Sequence, residues 1–147
     1  MKQLSHIIVL FLLFLSQAVL SHGLEFRLTL SGKILLGLAY RFQIDSNTAV
    51  RVGSYLGVTG APVGLHFGMV QDITPSKVWT PFFELGADMI FYKSDGKITR
   101  KIYPSSNVGL TYCPQTHLKH SVELWLGYLG GGVQPVGLRY VHYNSIN

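Results

Sequence analysis

Apolar residues alternate with polar or small residues over long stretches of this sequence, and that alternation restricts its fold more than any other feature. In the stretch WTPFFELGADMIFYK, residues Trp79–Lys93, every second residue from Trp79 to Phe91 is apolar, while Glu84 and Asp88 occupy intervening positions. Successive side chains of a β-strand point to opposite faces, so a strand places both carboxylates on one face and leaves the other apolar. A helix would surround the carboxylates with large apolar side chains. The stretch is therefore predicted to be a strand.

Turn-forming residues divide the chain after residue 21 into eight such strands. The seven breaks are Ser31-Gly32, Asp45-Ser46-Asn47, Gly60-Ala61-Pro62, Asp72–Lys77, Ser94-Asp95-Gly96, Pro114-Gln115 and Gly130-Gly131-Gly132. Gly, Pro, Asn, Asp and Ser each favour tight turns. A repeated pattern agrees with this division, because LGLAY (36–40), VGLHF (63–67), VGLTY (108–112) and VGLRY (136–140) fall on the even-numbered strands. The repeating unit is therefore a hairpin.

The first 21 residues have the pattern of a secretory signal peptide. Lys2 is followed by an apolar segment over residues 7–15 and then by small and polar residues. Cleavage is expected before His22, with a cut after Ala18 as the alternative. The apolar segment is shorter than the roughly 20 residues of a transmembrane helix, and an uncleaved anchor is the other interpretation. We expect a signal peptide over 1–21 and one domain over 22–147.

The composition indicates which face of the strands is the outer one. Only 13% of the residues are charged and 48% are apolar, yet no apolar run after the first 21 residues approaches the length of a membrane helix. Membrane β-barrels have this composition, because their strands are apolar on the lipid-facing side only. A secreted soluble barrel that binds an apolar ligand would need the two faces reversed. We predict an all-β fold, an eight-stranded antiparallel up-and-down transmembrane β-barrel.

The predicted inner face carries equal numbers of acidic and basic residues, which indicates a paired charge network in a narrow lumen. The network residues are Glu25, Arg27, Arg41, Arg51, Glu84, Asp88, Glu123 and Arg139. His66 is expected to join them. An eight-stranded barrel is filled by its own side chains, so a pore is not expected. Catalytic acid–base chemistry by Glu84 and Asp88 is the alternative interpretation.

Aromatic residues on the predicted outer face suggest a girdle at one membrane interface. Even-numbered strands run in one direction, so the last residues of the repeated motif are expected at one level, together with the start of the fifth strand. The girdle residues are Tyr40, Phe67, Trp79, Tyr112 and Tyr140. His117 and His120 are expected in a turn, where two histidines alone make a poor metal site. We predict no metal and no cofactor.

The signal peptide, the eight alternating strands and the Gly-Leu-x-aromatic motif together resemble the small outer-membrane β-barrels of the OmpA and OmpX kind. The resemblance implies a monomer in the outer membrane of a Gram-negative bacterium, surrounded by outer-membrane lipids and lipopolysaccharide. It also implies the barrel-assembly machinery as a partner during insertion. The family often ends in an aromatic residue, whereas this sequence ends in Asn147, with Tyr143 as the nearest aromatic residue.

Charge gives one further indication of partners. The net charge of +5 is spread along the chain without a basic block, so nucleic acid is not an expected partner. The segment from Lys93 to Lys101 is expected to be the one long, charged loop. Its four basic residues are hypothesised to contact the anionic sugars of lipopolysaccharide.

The C-terminal segment GLRYVHYNSIN, residues 137–147, is similar to the R-Y-x-H-x-S-N motif of outer-membrane lipid A deacylases. That resemblance implies His142 and Ser145 as catalytic residues of an ester hydrolase acting on lipid A. The segment departs from the motif because Asn144 stands where the serine belongs, and no Asp or Glu follows to orient the histidine. Two hypotheses result: a structural or surface-interaction barrel without catalytic residues, and a diverged lipid-modifying enzyme.

Overall fold

A computed structural model describes residues 21–58, 62–73, 78–113, 120–130, 132 and 134–145. The strands are β1 (Ser21–Leu30), β2 (Ile34–Gln43), β3 (Thr48–Gly57), β4 (Val63–Asp72), β5 (Trp79–Ser94), β6 (Lys97–Tyr112), β7 (His120–Leu129) and β8 (Val136–Ser145). Each strand pairs with the next, and β8 pairs antiparallel with β1 to close a barrel. The predicted eight-stranded antiparallel fold is confirmed. The predicted signal peptide lies outside the described residues, apart from Ser21 at the start of β1.

The two faces of the sheet differ in the way the alternation requires. Leu65, Phe67 and Met69 of β4 point outward and are about half exposed, whereas the intervening His66 and Val70 are buried in the barrel interior. The same alternation holds in the other strands, so that the outer surface is mostly apolar and the interior holds most of the charged groups. No helix among the described residues is long and apolar enough to cross a membrane.

The glycine of the repeated motif makes room for a large side chain in the interior. A Cβ atom added at Gly64 would overlap the ring of Tyr55, and one added at Gly137 would overlap the ring of Trp125. Strand pairing brings each ring beside its glycine, since Tyr55 pairs with Gly64 and Trp125 with Gly137. At these two positions the glycine therefore meets a packing requirement, because an aromatic ring lies against the part of the wall that has no side chain.

Strands β5 and β6 are each 16 residues long and extend past their neighbours. Pairing of β4 with β5 ends at Phe91, and pairing of β7 with β6 begins at Ser105. Residues 92–103 therefore form a projecting hairpin. It turns at Asp95 and Gly96, whose φ angles of 51° and 76° suit a two-residue hairpin turn. The expectation of a long loop over residues 93–101 is wrong, because these residues continue the paired strands on both sides of that turn.

The turn between β2 and β3 is held by the carboxylate of Asp45. The backbone N–H groups of Asn47 and Thr48 both donate hydrogen bonds to its Oδ1 atom, at 2.7 Å in each case. The bond from Asn47, supported by Thr48, lowers the pKa of the Asp45 carboxyl group below its ordinary value, because these bonds favour the charged form. The hydrogen bonds that hold the turn are consequently stronger when Asp45 is ionised.

We expect Asp45→Asn to lower the unfolding free energy by the pH-dependent contribution that the Asp45 carboxylate makes to the folded state. A carboxyl group whose pKa is lowered in the folded state stabilises the fold above its unfolded pKa of about 4, and that contribution is lost as the pH falls through the folded-state pKa. The difference in unfolding free energy between wild type and variant should thus be constant near neutral pH and shrink below pH 4. Urea unfolding in detergent between pH 7 and pH 3 measures it. A difference that persists undiminished at pH 3 would contradict this assignment.

Candidate functional site

The interior of the barrel contains a cluster of buried ionisable residues contributed by seven strands. The cluster consists of Glu25, Arg41, Arg51, His66, Glu84, Asp88, Glu123 and Arg139, and each is at most 5% exposed. We refer to it as the buried charge cluster. Seven of the eight residues predicted for the lumen network lie in it, and His66 lies among them.

Arg51 occupies the centre of the buried charge cluster. Its Nε atom lies 2.6 Å from Glu25 Oε2, its Nη1 atom 2.8 Å from Glu84 Oε1 and its Nη2 atom 2.9 Å from Glu123 Oε2. These carboxylates come from β1, β5 and β7, so one guanidinium connects strands that are not neighbours in the sheet. The planar, permanently charged fork of arginine suits this task better than the flexible ammonium of lysine.

Arg139 is a second cation that connects two of these carboxylates, those of Glu84 and Glu123. Its Nη2 atom lies 2.7 Å from Glu84 Oε2 and its Nη1 atom 3.0 Å from Glu123 Oε2. Glu84 Oε2 also accepts a hydrogen bond of 2.7 Å from Asn107 Nδ2. Arg41 adds a further ion pair with Glu123. Glu84 and Glu123 are thus each held by several donors, which is what a buried carboxylate requires.

His66 explains the spacing of the two carboxylates on β5. Its Nε2 atom lies 2.8 Å from Glu84 Oε1, and its Nδ1 atom lies 3.2 Å from Asp88 Oδ2. The pairing of β4 with β5 sets His66 opposite Asp88, and Glu84 points into the same interior four residues earlier. The imidazole therefore bridges both groups.

Arg27 differs from its predicted role. Its Nε atom donates to Thr29 Oγ1 at 3.1 Å, and its guanidinium lies 4.3 Å from the centre of the Trp125 ring. Arg139 lies 4.7 Å from the same ring. Among the described residues Arg27 has no carboxylate within ion-pair distance. The prediction that it is ion-paired in the network is therefore wrong, and an aromatic face takes the place of a carboxylate.

The interior leaves little room for a substrate. A cavity of about 30 Å³ lies beside the cluster and is lined by Arg27, Tyr55, Asp88, Ser105 and Asn107, among others. That volume suits one or two water molecules. The two carboxylates of β5 are already bonded to cations or to His66. Their arrangement is that of counter-ions in a filled interior, and it offers no free acid–base pair at this cavity.

Aromatic and histidine rings line the outer face at the barrel end where β5 begins and β6 ends. Trp79 and Tyr112 are paired residues with ring centres 4.5 Å apart. Further round the barrel, His22 stacks on Tyr40 at 5.6 Å. His120 likewise stacks on Tyr140 at 5.7 Å. We call this arc of rings the aromatic rim.

The five residues predicted for the girdle do not share one level. Trp79 begins β5 and Tyr112 ends β6, whereas Phe67 and Tyr140 are each the fifth residue of a strand of 10 residues. Phe67 pairs with Val52 and Ala87. Barrel strands tilt and are staggered against one another, so equal positions in a repeated motif lie at different heights. The prediction missed His22, His120 and Phe42, which join the aromatic rim through ring contacts.

His142 lies on the outer face and is half-buried, and its polar neighbour is another histidine. Its Nδ1 atom is 3.1 Å from Nδ1 of His120, which begins β7 and does not lie in the expected turn. Ser145 ends β8, and its side chain lies outside the described part of the structure. Among the described residues, no carboxylate is hydrogen-bonded to His142. The geometry therefore provides no orienting acid for a catalytic histidine there.

Comparison with known proteins identifies the fold. No model of a known protein family matches the sequence, and no curated protein matches it significantly. The N-terminal β-barrel domain of Pseudomonas aeruginosa OprF superimposes with a TM-score of 0.69 at 13% identity, over 86% of this chain and 98% of that one. Neisserial surface protein A gives 0.50 at 9% identity, over 86% and 95%.

The chain has the fold of the small outer-membrane β-barrels. A de novo designed protein, TMB2.3, also matches it, with a TM-score of 0.63 at 13% identity, over 88% of this chain and 97% of that one. Sequence identities this low establish the fold alone. The likeness to barrels of the OmpA and OmpX kind is confirmed at that level, and none of these matches supports the likeness to lipid A deacylases.

We expect Arg51→Ala to destabilise the barrel by about 3–5 kcal/mol, because three buried carboxylates would lose a shared cation. Arg51→Lys should fall between wild type and Arg51→Ala, since it keeps the charge and loses the fork. Urea unfolding of the protein in lipid vesicles, followed by tryptophan fluorescence, measures these differences.

Arg100→Ala is the matched control, because Arg100 is an exposed arginine of the projecting hairpin. That substitution should change stability by no more than about 0.5 kcal/mol. Equal losses of unfolding free energy for Arg51→Ala and Arg100→Ala would show that Arg51 stabilises the fold no more than an exposed arginine does.

Proposed function

We propose that this protein is a small barrel of the Gram-negative outer membrane with a structural or surface-interaction role and no open channel. The observation that carries the proposal is the outer face, which exposes apolar side chains on all eight strands. Phe26, Leu38 and Leu124 are examples, at 50%, 52% and 63% exposure. In water such a continuous apolar surface would drive association, whereas acyl chains of a bilayer solvate it.

Strand length supports the same proposal. Six of the eight strands are 10 residues long. A tilted strand of about 9–11 residues spans the hydrocarbon core of a bilayer. The aromatic rim then lies at one membrane interface, where amphipathic rings are favoured. The signal peptide predicted over residues 1–21 would direct export, and insertion would involve the barrel-assembly machinery.

The filled interior argues for a role other than transport. Arg51, Glu84, Trp125 and Arg139 are nearly inaccessible to solvent, and together they extend across the barrel. Opening a path would require breaking several buried ion pairs, each costly to separate. The function therefore belongs to the surface of the protein.

The projecting hairpin is the surface feature that we propose as the interaction site. Short turns of outer-membrane barrels face the periplasm and longer segments face outward, so the hairpin extends from the outer side of the membrane. Its outward face combines exposed Ile98 and Ile102 with the cations Lys93 and Arg100. Apolar side chains beside cations suit the boundary between acyl chains and phosphorylated sugars. Lipopolysaccharide of the outer leaflet is the ligand we propose.

The first expected result concerns location. Protein recovered from the outer-membrane fraction should migrate as a compact form on a gel and shift when boiled, because the closed barrel resists detergent at room temperature. In planar bilayers it should form no stable conducting channel. Recovery as a soluble periplasmic protein without any heat-dependent shift would overturn the membrane assignment.

The second expected result concerns the projecting hairpin. Replacing Lys93 and Arg100 with Gln should weaken binding to lipopolysaccharide about tenfold or more at low salt, since each basic residue near an anionic surface contributes about 1 kcal/mol. Replacing Lys97 and Lys101 with Gln is the matched control, because alternation turns these two residues to the opposite face of the hairpin. Binding to immobilised lipopolysaccharide at increasing salt compares the variants. Equal binding by both double variants and wild type would show that the outward face of the projecting hairpin does not bind lipopolysaccharide.

A further inference from the structure

Three atoms that can bind a metal ion converge on the outer face of the barrel, within the aromatic rim. His120 Nδ1 lies 3.1 Å from His142 Nδ1. Tyr140 Oη lies 2.6 Å from the same nitrogen of His120. The pairing of β7 with β8 sets His120 directly opposite His142, and Tyr140 precedes His142 by two residues on the same face. Residues 22 positions apart in the sequence thus form one cluster.

Hydrogen bonding alone does not account for this arrangement. An imidazole nitrogen carries either one proton or one lone pair in the plane of the ring, so it forms one well-directed hydrogen bond. His120 Nδ1 has two polar neighbours within hydrogen-bond distance, the hydroxyl of Tyr140 and the imidazole of His142. The two contacts therefore share one proton or one lone pair, and at most one of them is a well-directed hydrogen bond.

The spacing of the two nitrogens suits a shared metal ion. Metal–nitrogen bonds to histidine are about 2.0–2.1 Å long, so two nitrogens on one ion lie about 3 Å apart. The observed separation of 3.1 Å already meets that requirement. We propose that His120 and His142 chelate one divalent transition-metal ion, with the hydroxyl of Tyr140 beside it.

The surroundings define the kind of ion and the strength of binding. Imidazole nitrogens favour copper, nickel and zinc over magnesium and calcium, and Cu²⁺ forms the strongest complexes in the divalent series. The ring of His120 stacks on Tyr140 with an angle of 21° between the planes, which fixes the direction of its nitrogen. The two histidines are half-buried at a strand end, so water supplies the remaining ligands. The site lies on the opposite side of the barrel wall from the buried charge cluster and uses none of its residues.

The proposed ion has a structural consequence. It joins the first residue of β7 to a residue near the end of β8, and β8 is the strand that closes the barrel. A ligand that binds only the folded state stabilises that state. Metal should therefore raise the temperature at which the compact form is lost.

The test is a Cu²⁺ titration of the full protein in detergent, measured by calorimetry and by electron paramagnetic resonance. Wild type should bind one Cu²⁺ ion at this site, and its spectrum should show superhyperfine splitting from two ligand nitrogens. His120→Gln and His142→Gln should each weaken binding at least tenfold and remove that splitting.

His22→Gln is the matched control, since His22 lies on the same rim and stacks on Tyr40 outside the proposed site. This variant should keep the two-nitrogen spectrum and the metal-dependent rise in transition temperature. Heat-dependent gel migration establishes that every variant is folded. The proposal is overturned if folded His120→Gln and His142→Gln bind Cu²⁺ as tightly as wild type does, or if wild type shows no two-nitrogen spectrum.

Discussion

The contacts of Arg51 with Glu25, Glu84 and Glu123 connect β3 with three other strands through the interior of the barrel, and much of the remaining architecture depends on them. A barrel with an apolar exterior has to place its charged residues inside. Each buried charge is costly unless an opposite charge and hydrogen bonds meet it. A shift of one residue in the pairing of β5 would turn Glu84 and Asp88 to the outer face. Arg51 and Arg139 would then each lose one carboxylate, and His66 would lose both of its partners. The cluster therefore favours a single register, which the apolar exterior favours as well.

The alternation of residues is sufficient to predict the eight strands, the apolar face and the eight members of the buried charge cluster, His66 included. Alternation assigns a residue to a face but says nothing of its height on the barrel. For that reason alternation groups Phe67 with the rim residues, although strand stagger puts it in the middle of the wall. Alternation likewise groups Arg27 with the ion-paired residues, whereas its guanidinium lies against Trp125. Both errors concern which residues meet, and only the register of the strands decides that.

Two other features depend on pairing and could not be predicted from single segments. Asp95 and Gly96 are recognisable turn residues, yet the length of the strands beside them depends on where β4 and β7 stop pairing. The sequence predicts His120 in a turn with His117, because it gives no sign that His120 begins β7 opposite His142. The glycine motif, by contrast, is visible in the sequence as a repeat, but its packing role depends on the rings of Tyr55 and Trp125, which lie over Gly64 and Gly137.

The projecting hairpin leaves one backbone edge of β6 open, because residues 97–103 pair with β5 alone. Open strand edges promote pairing between copies of a protein unless charge or proline interrupts them. Pro104 lacks an N–H group and stands at the base of this edge, where its carbonyl oxygen accepts a bond from Gly130. Arg100 and Lys101 follow along the edge, so two hairpins aligned edge to edge would bring cations together. The residues that make the hairpin basic thus also discourage it from seeding fibre-like association between neighbouring molecules.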